Sequence, residues 1–183
     1  MIPANAKKVF SGILFEVYQW EQKLYDGTTT TFERTVRQGG AQIIAVLNGN
    51  ILLCEQSQPD SETVYKSLPG GRLESGEDHL EAAQRELLEE TGLASDDWEE
   101  FLRTPKFGHV QMDRRIFIAR NCQLKQAPII DPGEHIVCKH LSFDTFVNLG
   151  KNPDFYDELL KIKLLEAFYE PEMREALKKR LGL

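Results

Sequence analysis

The chain has 183 residues, 41% of them hydrophobic, and a formal net charge of −7. That length and apolar content suit one compact domain with a smaller appendage, while the acidic balance speaks against a nucleic-acid partner, whose phosphate backbone calls for a basic surface. Cys54, Cys122 and Cys138 are odd in number and include no CxxC pair, so neither a disulfide framework nor a zinc site is indicated and free thiols are expected. The opening MIPANAKKVFSG lacks the apolar run of a signal peptide, and no stretch approaches the length of a membrane span. A soluble cytoplasmic protein is the expectation.

Val9 to Tyr25 is rich in β-branched and aromatic residues, Asp26-Gly27 is a turn signal and Thr28 to Val36 returns, which predicts a long N-terminal β-hairpin. Such a hairpin is poorly stable alone and must pack on the main body or on another subunit. After a break at Gln38-Gly39-Gly40, Ala41 to Leu47 and Ile51 to Gln56 flank the turn signal Asn48-Gly49 and predict a central hairpin. A helix is expected from Gly76 to Thr91, with Ser75 as N-cap, Asp78 as its reciprocal capping partner and Gly92 just past the end. Leu80, Ala83 and Leu87 give that helix an apolar stripe that can lie on a sheet. Further on come a polar acidic loop from Ser95 to Glu100, a strand near Trp98 to Leu102 and a loop from Thr104 to Gly108. Strands follow near His109 to Met112, Arg115 to Arg120 and Ile136 to Leu141. Phe143 to Leu149 reads as a short helix and Asp154 to Tyr169 has helical periodicity. Pro171 suits the first turn of a last helix, with Lys178-Lys179-Arg180 near its C-terminus.

The chemistry concentrates on the first helix. Glu86, Glu89 and Glu90 gather on one turn at its C-terminal end, where like charges repel and carboxylates also face the negative end of the helix dipole. Arg85 is adjacent but is expected to point elsewhere, pairing back with Glu77 or Glu81 and holding the preceding loop. A bound hard cation then remains to compensate the cluster, and Mg2+, with its oxygen ligands and retained waters, fits an open set of carboxylates. A solvated glutamate face is the alternative, but it leaves the Leu68-Pro69-Gly70-Gly71 loop, the spaced Glu77 and the terminal Gly92 unexplained.

The segment Gly71-x5-Glu77-x7-Arg85-Glu86-Leu87-x-Glu89-Glu90-x-Gly92-Leu93 resembles a complete Nudix box, the signature of hydrolases of nucleoside diphosphates linked to another moiety. The resemblance implies an α+β fold, an α/β/α sandwich with a mixed sheet, and Mg2+ or Mn2+ as cofactor. It also implies Glu86 and Glu90 as direct ligands, Glu89 as a third ligand or the group orienting a metal-bound water, and the Gly70 carbonyl as a main-chain ligand. The flanks Val36-Arg37-x-Gly39-Gly40-Ala41, Glu55-Gln56 and Gly133-Glu134-x-Ile136 resemble the ADP-ribose pyrophosphatase branch of that family.

In that branch the N-terminal strands are exchanged in a homodimer. The resemblance therefore implies a dimerisation and substrate-contact region over residues 1–40 and a hydrolase domain over 41–183. Arg37 matches a diphosphate-contacting position, with a solvent-facing strand arginine as the alternative. Trp20 matches an aromatic that stacks on the base, with a core or interface tryptophan as the alternative. Gln56, Arg34 and Arg72 complete the implied substrate contacts. Glu134, on an Asp-Pro-Gly-Glu loop, resembles the carboxylate brought to the attacking water, an exposed turn glutamate being the alternative. Two departures stand out: Gln58 replaces a branch arginine that Arg72, Lys66 or Arg34 would have to supply, and a proline of the branch falls early, at Pro105. The expected reaction is metal-assisted hydrolysis of a nucleoside diphosphate sugar, ADP-ribose giving AMP and ribose 5-phosphate. GDP-mannose or another nucleotide sugar is the enzymatic alternative, and a nucleotide-sensing module the alternative of another class.

Overall fold

The structure, a computed structural model, describes residues 2–59, 63–104, 108–130 and 132–183. In chain order its strands and helices begin with β1 (Lys7–Ser11), β2 (Phe15–Lys23), β3 (Thr29–Arg37), β4 (Gly40–Leu47), β5 (Asn50–Ser57), β6 (Tyr65–Ser67) and β7 (Gly70–Arg72). There follow α1 (His79–Thr91), β8 (Leu93–Ala94), β9 (Asp97–Arg103), β10 (Val110–Gln111), β11 (Arg114–Arg120), β12 (Gln123–Leu124) and β13 (His135–Leu141). The chain closes with α2 (Phe143–Asn148), a 3-10 turn (Leu149–Lys151), α3 (Glu158–Tyr169) and α4 (Pro171–Leu181). The fold is α+β with mixed sheets, as expected.

The N-terminal region is a three-stranded meander rather than a single hairpin. The segment expected as one strand from Val9 to Tyr25 is cut in two, because Gly12 to Leu14 reverse the chain and the Gly12 N–H donates to the Phe15 carbonyl at 2.8 Å. β2 and β3 then pair along nine positions, from Phe15 opposite Arg37 to Lys23 opposite Thr29, and β10 adds to β3 in parallel.

The main sheet runs β13-β5-β4-β11-β9, with β11 parallel to β4 and its other neighbours antiparallel. Asn48 and Gly49 turn the chain with φ of 50° and 75°, the left-handed pair that a two-residue hairpin requires. β4 and β5 stay paired only beside this turn, at Val46 with Ile51 and Leu47 with Asn50, and then part. β6 adds to β5 and β7 to β4, so the segment 65–72 lies in the fork between the two central strands. That fork positions the glycines at the start of the glutamate motif.

Side-chain alternation divides the core between the two faces. Ala41, Ile43 and Ala45 of β4, with Phe117 and Ala119 of β11, pack with Ala82, Ala83 and Leu87 of α1. Ile44, Val46, Ile116 and Ile118 instead meet Phe146, Phe155, Leu160, Leu164 and Leu181 from the C-terminal helical layer. The sheet is therefore covered by helices on both sides. The last helices match expectation, except that α3 begins at Glu158, where Asp157 caps it by accepting from the Leu160 N–H at 2.7 Å. The loop expected at Thr104 to Gly108 falls largely, and Pro105 wholly, outside the described residues.

The cysteines depart from expectation. Cys54 and Cys138 stand opposite each other in the β5–β13 ladder with Cα atoms 4.1 Å apart, and they form a disulfide. Spacing along the chain, 84 residues, carries no trace of this, because the register of two strands brings them together. Cys122 stays a thiol, buried and with its pKa pushed up to about 11 by that burial. Ellman's reagent should therefore count one thiol in the denatured, unreduced chain and none in the native chain over minutes. Three thiols in the denatured chain would show Cys54 and Cys138 unpaired.

Candidate active site

The helix α1 starts later than its composition suggests. Asp78, not Ser75, is the N-cap: its Oδ1 accepts from the Leu80 and Glu81 N–H groups at 2.8 and 3.0 Å, and Glu81 Oε2 accepts from the Asp78 N–H at 2.9 Å. Gly76, with φ of 87°, belongs to the preceding turn, so the helix runs from His79 rather than Gly76. At the other end Gly92, with φ of 71°, closes the helix as expected.

Arg85 is the organising cation of the motif. Its Nε and Nη2 donate to the two oxygens of Glu77 at 2.9 and 3.0 Å, and Nη2 also donates to the Arg72 carbonyl at 3.0 Å. That part of the expectation holds, with Glu77 rather than Glu81 as partner. The expectation that Arg85 points away from the glutamate cluster does not hold. Nη1 donates to Glu86 Oε1 at 2.9 Å and Glu89 Oε2 at 3.0 Å, because a planar guanidinium reaches the loop with one edge and the helix face with another. Arg85 thus already offsets part of the repulsion that the helix alone would suffer.

The three glutamates differ in setting. Glu90 is buried, accepts from the Gly70 N–H at 2.8 Å, and has its pKa pushed up to about 8 by burial, with Glu86, Glu134 and Glu89 adding to the rise. Glu86 is also raised, first by burial and against the pull of Arg85. Its carboxylate lies flat on Gly71, where a Cβ would sit 2.2 Å from Oε1. Gly70 is equally constrained: φ is 143°, and a Cβ would meet the Ala41 carbonyl oxygen at 2.2 Å. Glu89 is the exposed member of the set.

Glu86, Glu89 and Glu90 border an open cleft of about 910 Å³ together with Gly70, Gly71, Arg85 and Glu134. Arg37, Gln56, Gln58 and Arg72 line the same cleft. Glu134 is exposed on the loop before β13, close enough to Glu86 and Glu90 to raise both their pKa values. Asp131, at the head of its loop, lies outside the described residues. Of the three arginine substitutes considered for Gln58, only Arg72 reaches the cleft among the described residues; Arg34 and Lys66 do not line it. Trp20 and Arg34 lie together in the N-terminal sheet, the guanidinium 5.9 Å from the ring centroid, and neither lines the cleft of the single chain. Sequence reading overlooked Ile13 and Leu14, whose β1–β2 turn reaches the cleft, and Ile129 and Ile130, tied to α1 by the Ile129 N–H donating to the Glu89 carbonyl at 2.7 Å. No motif marks either pair.

The donor set here is oxygen only, the ligand class of Mg2+ and Mn2+, and the glycine floor leaves Glu86 no competing side chain. By chemistry the residues fit such an ion. Among the described residues no group of three or more carboxylate, imidazole or thiolate side chains is already spaced to ligate one; Arg85 bridges Glu86 and Glu89, and Glu90 accepts from the Gly70 N–H. Replacing Arg85 by methionine should lower stability by about 1–3 kcal/mol, because Glu77 and Glu86 lose charged partners while sheltered from water. An unchanged urea midpoint would show that the loop 72–77 is held by other contacts.

Known proteins are similar to this chain over most of its length. The NUDIX domain family model matches residues 36–161. The chain is 28% identical over 179 residues to a methanol dehydrogenase activator of Bacillus methanolicus, covering 95% of this chain and 94% of that protein. It is 25% identical over 176 residues to an ADP-ribose pyrophosphatase of Bacillus subtilis (strain 168), covering 93% and 92%. A solved structure described as an ADP compounds hydrolase superposes with a TM-score of 0.73 at 19% identity over 92% of this chain and 94% of its own, a likeness of fold. With its motif intact, its helix capped at both ends and most of its length matched by the family model, the chain belongs to the Nudix hydrolases.

Proposed function

We propose that the chain hydrolyses the diphosphate linkage of nucleoside diphosphate sugars, ADP-ribose first among them, releasing AMP and ribose 5-phosphate. The observation that carries this reading is the meeting of Glu86, Glu89, Glu90 and Glu134 with Arg37 and Arg72 around the bare backbone of Gly70 and Gly71. Arg37 and Arg72 present planar donors to the phosphate oxygens, and the glycines let those oxygens approach the main chain. Glu86, Glu89, Glu90 and the Gly70 carbonyl would hold Mg2+ or Mn2+, which when bound neutralises phosphate charge and makes water more acidic. Glu134, exposed and on a loop, accepts the proton of the attacking water as its oxygen bonds to phosphorus and the bridging oxygen leaves with its electron pair. The similarity to the protein named ADP-ribose pyrophosphatase supports this choice of substrate.

The N-terminal strands support a homodimer in the same reading. Val9, Phe10 and Phe32 are exposed on them, and Ile13, at the cleft, is 94% exposed. An apolar surface of this kind next to a substrate cleft suits cover by a second copy that also brings Trp20 and Arg34 to the site. Sedimentation equilibrium at micromolar concentration should give a dimer; a monomer would reject it.

Assay of ADP-ribose, GDP-mannose, a dinucleoside polyphosphate and nucleoside triphosphates with Mg2+ and with Mn2+ should show highest kcat/KM for a nucleotide sugar. Preference for a triphosphate would sink the substrate assignment, and binding without hydrolysis would favour a sensing module. Glu134→Gln should lower kcat by about 10²- to 10⁴-fold at saturating metal, whereas near-normal turnover would remove Glu134 from the mechanism. The likeness to a methanol dehydrogenase activator favours a second reading, in which the chain stimulates an alcohol dehydrogenase. Unchanged methanol dehydrogenase turnover on addition of the chain would dismiss it.

A further inference from the structure

Gly70, Gly71 and Arg72, like Arg37 and Gln56, line two adjoining spaces: the glutamate cleft and a smaller recess of about 170 Å³ in the fork between β4 and β5. Gln42, Gln56, Ser67, Tyr65, Arg114 and Tyr156 line this recess. Three observations set it apart from ordinary packing.

Gln42 interrupts the apolar run of β4, on the same face as Ile44 and Val46, and is only 9% exposed. Its Oε1 has no hydrogen-bond partner, and neither has the Oγ of Ser67, a residue 4% exposed. A buried polar atom left unpaired costs stability, whereas an apolar side chain of similar shape at the same place does not. Two such atoms beside one recess, one of them set between Ala41 and Ile43 in the apolar run of β4, have no purpose in the fold alone.

Arg114 supplies the complementary donors. It opens β11 opposite Gly40, on the face turned to the C-terminal helices, and its Nη2 lies 3.2 Å from Oδ2 of the fully buried Asp157. Asp157 is itself fixed as the cap of α3. The contact is an ion pair without hydrogen-bond geometry at Oδ2, and it keeps the positive guanidinium beside the recess with N–H groups to offer. Tyr65 and Tyr156 lean on each other, with ring centroids 5.7 Å apart and planes at 48°, so they do not form the parallel faces between which a flat base would be sandwiched.

We propose that this recess is the subsite for the sugar joined through the diphosphate, with Gln42 and Ser67 accepting from its hydroxyls and Arg114 donating to them. The proposal rests on the nucleotide-sugar reading above and assigns its specificity to residues outside the glutamate motif. A hydroxyl both donates and accepts, which is what an unpaired amide oxygen, an unpaired serine hydroxyl and an anchored guanidinium together require. Gln42 Oε1 and Ser67 Oγ present almost no surface to solvent, so the sugar meets them as their terminal torsions turn toward the recess. A site built to bond hydroxyls discriminates strongly against analogues that lack them.

The test uses the full chain, Gln42→Leu and Ser67→Ala, with Mg2+ present throughout. By calorimetry the wild type should bind ribose 5-phosphate at least about tenfold more tightly than inorganic phosphate, and either variant should erase that margin. For ADP-ribose kcat/KM should fall about 10- to 100-fold in the variants, while ADP carrying only a methyl group on its terminal phosphate stays within about threefold. Melting temperatures should equal or exceed that of the wild type. Absence of the ribose 5-phosphate margin in the wild type overturns the proposal, as does an equal loss on both substrates. A change in preference between ADP- and GDP-sugars with unaltered ribose 5-phosphate binding overturns it in favour of a base pocket. If the wild type hydrolyses no nucleotide sugar, the hydrolase reading fails, and the ribose 5-phosphate margin with its loss in the variants decides the subsite alone.

Discussion

The Arg85 guanidinium is the contact on which the site depends. It ties Glu77 and the Arg72 carbonyl, both ahead of α1, to Glu86 and Glu89 on the helix itself. Five donors in a rigid plane make this possible; a lysine at the same place would offer a point charge and could not hold a loop and a helix face in one geometry. Through it the glycine floor of β7 and the carboxylates of α1 become one unit. The capping box at Asp78 and the left-handed Gly92 then bound the helix so that its last turn meets the floor.

The second constraint is the parting of β4 and β5. A continuous central hairpin would leave no room beside Gly70, whereas the fork admits β6 and β7 between the two central strands. The carboxylates line only the cleft beside α1, whereas Arg37 and Arg72 line both spaces and Gln42, Ser67 and Arg114 line only the recess. One short glycine strand thereby borders both a place suited to phosphate chemistry and a place suited to recognition. Its bare backbone is demanded twice, by the Ala41 carbonyl behind Gly70 and by the Glu86 carboxylate over Gly71.

Much of this was legible in the amino-acid order. The turn at Asn48-Gly49, the apolar stripe of α1 and the Gly92 stop all rest on local rules, which act over a few residues and survive in any surroundings. Errors arose where distant parts meet. Ser75 and Asp78 both look like caps in isolation, and the loop anchored through Glu77 decides between them. The chain reversal at Gly12 is hidden inside a run of good strand formers. Cys54 and Cys138 are joined by strand register, and Ile13 and Ile129 reach the cleft by the path of their loops.

By itself, then, the sequence determined the family, the glutamate helix with its boundaries to within a turn, and the kind of ion its oxygen donors suit, because these follow from residue type at fixed short spacing. Only the tertiary structure decided that Arg85 turns inward to the glutamates, that Arg72 rather than Arg34 or Lys66 stands at the cleft, and that Gln42, Ser67 and Arg114 share a recess. Those residues lie on β4, β6 and β11, and Arg114 is fixed by the cap of α3. Their meeting depends on where a sheet forks and on which face each strand turns to the helices, and neither is written in the spacing of residues along the chain.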